Sequence, residues 1–188
     1  MATAPTRATI DDLYRVEGKA ELIGGKVVEL VASGLRPGEV ASNIHGSLRG
    51  YARVNKRGVA TGDGVGYAIP EIGSGRESFC PDAAYYNGPM PANTMRFIDG
   101  APTFAVEVRS ENDYGPAAEL EMANKRDDYF EAGTLAVWDV DPISEQIGLY
   151  TADKPDRPTV FRRGQIANAS NAVPGWTIAV DEVFATDL

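Results

Sequence analysis

Three charged residues in this sequence stand where the local pattern calls for apolar ones, and their types could do chemistry together. In TFAVEVR, alternation puts Phe104, Val106 and Val108 on one face of a strand and Thr103, Ala105, Glu107 and Arg109 on the other. A carboxylate at Glu107, in a segment fit for a sheet interior, needs a partner or a metal. Further on, Ala118, Met122, Lys125, Tyr129 and Ala132 recur at helical spacing, so Lys125 interrupts an apolar stripe. Asp82 follows Pro81 in a β-rich run, where the missing proline N–H favours an edge or a bulge that can aim a side chain. Each has an ordinary alternative: Glu107 pairs with a neighbouring Arg, Lys125 snorkels past its neighbours, and Asp82 is a turn residue. Taken together, two carboxylates on neighbouring strands and a lysine on the adjoining helix make a hard-cation site with an ammonium beside it. That set suits phosphodiester cleavage, in which Mg²⁺ (or Mn²⁺) takes one or two carboxylates and the metal with the lysine activates water and offsets phosphorane charge. The lysine serves as a general base only if burial or the metal lowers its pKa.

The elements that must position these residues are legible as periodicities. Thr9 opens a short helix, with Asp12 three residues later in capping-box position, and the helix stops by Gly18. AELIGG and KVVELVAS read as a hairpin about Gly24 and Gly25. From Pro37 to about Lys56, Val40, Ile44, Leu48 and Tyr51 form the stripe of a long amphipathic helix. Residues 58–109 read as strands with glycine-rich turns, and a second helix spans Pro116 to Glu131, stopping at Gly133. LAVWDVD follows as a strand buried on both faces, and EQIGLYTA, PTVFRR and GWTIAV read as shorter strands. The mixture predicts an α/β (α+β) class in one domain over residues 1–188.

Composition narrows the function. Asp plus Glu number 27 against 18 Lys plus Arg, a net charge of −9, which argues against a nonspecific nucleic-acid coat. The cations are nonetheless clustered: Arg36, Arg49, Arg53, Lys56 and Arg57 accompany Glu39 alone, so this helix either tracks a phosphate backbone or is a solvated face. A single Cys80 excludes a disulfide framework and a cysteine-rich zinc site and fits a reducing, cytoplasmic compartment. MATAPTRATIDDLYRVEG lacks the apolar core of a signal peptide, and no run is long enough to cross a bilayer. TGDGVG and IGSG lack a following GK[ST], so they read as turns rather than phosphate-binding loops, and no serine stands with a histidine at a telling position.

With Pro81-Asp82, FAVEVRS carrying Glu107 and Ser110, then Lys125, Tyr129, Gly133 and VWDVDP, the sequence resembles the Uma-two restriction endonuclease family, a branch of the PD-(D/E)XK nuclease superfamily. ELIGGKVVEL and NAVPGWTIAVDEVF extend the likeness over nearly the whole chain. The resemblance implies a restriction-endonuclease-like mixed β-sheet flanked by helices, with Asp82 and Glu107 as metal ligands and Lys125 as a catalytic lysine moved from strand to helix. It implies DNA as substrate and a homodimer, as in restriction-type enzymes. Where the superfamily's basic pattern has lysine, two residues after the strand Glu, this chain has Arg109, which cannot act as a base but could clamp phosphate. Glu21 matches an acidic position of the family's first strand and either binds a second metal, positions water, or is a surface carboxylate. Tyr129 stands with Glu21 and Arg109 as an accessory candidate, and Arg49, Arg53 and Lys56 as candidate phosphate contacts. The family often carries a histidine before the first long helix, where Pro37 lies here; His45 comes later and takes no role from the likeness. A catalytically inert nucleic-acid- or protein-binding module on the same fold is the competing expectation.

Overall fold

In the computed structural model, which describes residues 7–186, the chain starts with the short helix α1 (Ile10–Leu13) and the hairpin β1 (Ala20–Ile23) and β2 (Lys26–Glu29). Residues 1–6 of the N-terminal stretch inspected for a leader lie outside the described residues. The Asp12 carboxylate accepts the Thr9 N–H at 2.9 Å, fixing the helix entry. Gly24 and Gly25 both have positive φ (58° and 67°), the requirement of a two-residue turn matched to strand twist.

The long helix α2 (Leu35–Asn55) follows, then β3 (Val59–Gly62), β4 (Tyr67–Ala68), β5 (Ser78–Phe79), β6 (Ala83–Tyr86), β7 (Ile98–Asp99) and β8 (Phe104–Val108). Helix α3 (Pro116–Glu131) leads into β9 (Ala136–Asp141), β10 (Gln146–Thr151), β11 (Lys154–Arg162), β12 (Ile166–Asn168), β13 (Thr177–Ala179) and α4 (Val180–Val183). The closing α4 was not foreseen. Helix α2 begins two residues before Pro37, which sits in its first turn, where a proline loses no hydrogen bond.

Six strands form a mixed sheet in the order β11-β10-β9-β8-β6-β3, with β8 and β9 parallel and the remaining pairs antiparallel. A parallel pair needs a crossover, and α3 supplies it. Alternation along the strands then divides two apolar layers. On one face Val40, Ile44 and Leu48 of α2 pack with Phe104, Val106 and Trp138, the last ring 5.3 Å from Phe104 and 5.1 Å from Trp176. On the other, Tyr129 of α3 packs with Ala105, Val137 and Phe79, stacking on the phenylalanine ring at 4.0 Å. Glu107 shares this second face with Ala105.

Candidate active site

Strand register brings the first two carboxylates together. Ala83 pairs with Val106, so one step back Asp82 lies opposite Glu107; Ala83 also pairs with Gly62, so Asp63 lies opposite Asp82. The β6 to β8 ladder is unbroken and β6 is an interior strand, so Asp82 is aimed by the strand's beginning and not by the expected bulge or edge. Its main-chain N–H donates to Val106 O at 3.1 Å, and its Oδ2 accepts from Val108 N–H at 2.8 Å. Proline at 81 is harmless because it precedes the strand.

Helix α3 brings the lysine and the tyrosine. Four residues apart, they reach the same carboxylate: Lys125 Nζ donates to Glu107 Oε2 at 2.9 Å, and the Tyr129 hydroxyl donates to Oε1 at 2.6 Å. Lys125 Nζ also stands 3.3 Å from Glu21 Oε1. Burial pushes the Glu107 carboxyl above the usual range; Lys125 pulls it down, while the like charges of Asp82 and Glu21 add to the rise. Burial alone would lower Lys125, but Glu107 and Glu21 outweigh it and hold the ammonium above its ordinary value. Burial among these residues therefore does not lower Lys125 on balance, and its neighbours favour the ammonium form.

Glu21 is 2 % exposed, so it is not the surface carboxylate that its strand-end position allowed. Its Oε2 accepts from Arg76 Nη1 and its Oε1 from the Cys80 N–H at 2.9 Å, while Arg76 Nε reaches Asp128 Oδ2 at 2.8 Å. Burial would raise the Glu21 carboxyl, but Lys125 and Arg76 bring it below its ordinary value. Asp82 has its own ammonium: Lys19 Nζ lies 3.0 Å from Asp82 Oδ1 and 2.6 Å from Asp63 Oδ1. Asp82 and Asp63 raise Lys19 against the opposing effect of burial.

Arg109 corrects an expectation. It shares Glu107's side of β8, but its fork is taken by Asp139, through Nε at 2.8 Å and Nη2 at 2.9 Å, and by Glu119 of α3. It ties β8, β9 and α3 together and is not free to clamp phosphate. Arg49, Arg53 and Lys56 stand apart from the carboxylates at the far end of α2, all exposed.

The structure thus brings together Asp82, Glu107, Lys125, Glu21 and Tyr129, and it adds Lys19, Asp63, Arg76 and Asp128, which pattern reading passed over. Local periodicity marks none of these four. Two cavities open on the cluster: one of about 460 Å³ lined by Glu21, Arg76, Glu107 and Lys125, and one of about 410 Å³ lined by Asp82, Asp63, His45 and Gly62. His45 fits there because Gly62 has no side chain; a Cβ would lie 3.1 Å from the ring's Nδ1. Among the described residues no three His, Cys, Asp or Glu side chains converge as a ready metal cage. No helix among them is long and apolar enough to cross a membrane.

Comparison with known proteins places the chain in a family. No curated protein matches the chain. The fold resembles the crystal structure of "a putative nuclease belonging to DUF820" from Anabaena variabilis ATCC 29413, with a TM-score of 0.71 at 15% identity, over 94% of this chain and 97% of that one. The Uma2 family, described as "Putative restriction endonuclease", matches residues 9–181, from the N-cap of α1 into α4. That span takes in every strand of the sheet and every carboxylate of the cluster, and the chain belongs to the Uma2 family.

Proposed function

We propose that the protein is a metal-dependent endonuclease that hydrolyses phosphodiester bonds in DNA, with Asp82 and Glu107 as metal ligands and Lys125 as the catalytic cation. The observation that carries this reading is the cross-strand pairing of Asp82 with Glu107 beside an ammonium fixed on α3. The charge inventory supports a cation. Five carboxylates (Glu21, Asp63, Asp82, Glu107, Asp128) meet three cations (Lys19, Arg76, Lys125), a formal excess of −2 that one divalent ion neutralises. Each oxygen of Asp82 and Glu107 accepts one hydrogen bond and retains a lone pair. Two carboxylates without a third protein ligand suit Mg²⁺ (or Mn²⁺), which keeps several waters.

When bound, such an ion lowers the pKa of its water and polarises a phosphoryl oxygen. The chain's own residues do the rest. Tyr129 holds one oxygen of Glu107 and fixes the direction of the other. Lys125, kept protonated by Glu107 and Glu21, orients water and offsets the charge that grows on the phosphoryl oxygens. Lys19 does for Asp82 what Lys125 does for Glu107, so each ligand is positioned before substrate arrives. Restriction-type enzymes often pair two such sites so that both strands are cut, and the reading includes a homodimer on that likeness, testable by sedimentation. A buried free Cys80 fits a reducing cytoplasm.

The test is cleavage of supercoiled plasmid and short duplexes by purified protein with Mg²⁺, with Mn²⁺ and with chelator. The reading expects metal-dependent cutting that falls at least about a hundredfold in Asp82→Ala and in Glu107→Ala. Unchanged cutting in both variants would leave the inert binding module as the better account.

A further inference from the structure

Outside the carboxylate cluster, two features meet at the seam between α2 and β3, which is one edge of the large sheet. The first is a set of cations left without partners. Carboxylates outnumber Lys and Arg by 27 to 18, and eight arginines engage one, yet Arg49, Arg53, Lys56 and Arg57 form no ion pair among the described residues. Lys26, Lys154, Arg157 and Arg162 form none either, but they lie on β2 and along β11, whereas these four gather at one helix end and form a local positive patch. Lys56 adds to this. It ends α2 in the left-handed region (φ 52°, ψ 35°), where glycine or asparagine is the easier residue, so a charged side chain is held at a position that favours another type.

The second feature is shape. Arg49, Arg53 and Lys56 line a depression of about 300 Å³ against Val59 and Ala60 of β3. One helical turn before Arg49, His45 lines the cavity that holds Asp63 and Asp82 against the other end of the same strand. Neither ring nitrogen of His45 is engaged among the described residues. The seam therefore runs from the cations, past His45, to Asp82. From Arg49 to Lys56 the helix rises about 10.5 Å, and a duplex strand carries one phosphate per about 3.4 Å of axis, so the patch spans about three phosphate steps, enough for each of the three cations to meet its own phosphate.

We propose that the α2 to β3 seam is a phosphate track, in which Arg49, Arg53 and Lys56 hold consecutive phosphates of one DNA strand and lead it past His45 to Asp82. The identity of the polymer rests on the nuclease reading; the track itself does not. Because only phosphates are held, recognition along it is independent of base sequence.

The test measures binding without catalysis: anisotropy of a labelled 16-base-pair duplex in EDTA, titrated across a series of NaCl concentrations. Arg49→Gln/Arg53→Gln/Lys56→Asn is compared with the wild type and with a control, Lys154→Gln/Arg157→Gln/Arg162→Gln, which removes three exposed cations from β11 at the opposite edge of the sheet. Asparagine suits the conformation at 56, so the first variant keeps its melting temperature. The track predicts that it loses at least about tenfold in affinity and that its slope of log K against log salt shrinks by about 2.7, at 0.9 per phosphate contact, while the control binds as the wild type. Equal slopes in all three proteins, an equal loss in the control, or no binding by the wild type overturns it. A wild type that binds through the track but never cuts with Mg²⁺ counts against the nuclease reading alone; one that cuts with an unchanged slope in the track variant counts against the track alone.

Discussion

Glu107 accepts from Tyr129 on one oxygen and from Lys125 on the other, so losing either donor leaves a half-buried carboxylate half-satisfied. Tyr129→Phe keeps the stack on Phe79 and removes only the hydroxyl, and denaturant unfolding should show a loss of about 1.5–3 kcal/mol, the range for hydrogen bonds to charged groups. Lys125→Met acts through charge and is therefore pH-dependent. The lysine's raised pKa means that its charge is present at all pH values below the ordinary lysine range, while the stability it contributes follows the ionisation of Glu107 and Glu21. Glu21, lowered by Lys125 and Arg76, contributes stability above its unfolded value near 4.5 and loses it as pH falls through the folded one. Glu107, already raised by burial, rises further without the ammonium and costs most when ionised. The melting-temperature deficit of Lys125→Met should thus be largest near neutral pH and shrink as Glu107 and then Glu21 take up protons. A pH-independent deficit would assign the lysine to packing. Cys80 offers an independent check on this interior: burial pushes its thiol up to about 11, so at neutral pH a thiol reagent should modify it only as fast as the protein opens.

At the scale of elements, each group reaches the cluster on a different segment, which explains what the sequence could and could not convey. The glycine hairpin, the stripe Val40, Ile44, Leu48 and the spacing of Lys125 and Tyr129 are local periodicities, and each forms as its pattern requires. Leu48 is fully buried between α2 and the sheet, and Leu48→Ala should cost about 2–5 kcal/mol in denaturant unfolding. The partners of the carboxylates were not legible because they are distant in sequence. Arg76 meets Glu21 across 55 residues, and Lys19 meets Asp82 across 63. No local rule announces such pairs, so Glu21 could be read as exposed and Arg109 as free. Asp82 was legible as a candidate but not in its mode of placement, since Pro81 signals a break in pairing without saying whether the strand bulges or begins there.

For the whole molecule, the charge of −9 divides unevenly between a carboxylate-rich centre and a cationic seam along one sheet edge. A ligand that binds only the folded state stabilises it by mass action, about 2.7 kcal/mol at a hundred times its dissociation constant. Mg²⁺ or Mn²⁺ should accordingly raise the melting temperature of the wild type, and should fail to do so in Asp82→Asn/Glu107→Gln, where the ligand charges are gone. The central claim, that Asp82 and Glu107 are one cation site, is tested most directly by anomalous diffraction from a crystal soaked in Mn²⁺. The account predicts one strong peak between the two carboxylates, with the Lys125 ammonium beside it. Full occupancy of both carboxylates by Lys19 and Lys125, with no peak between them at saturating Mn²⁺, would contradict it.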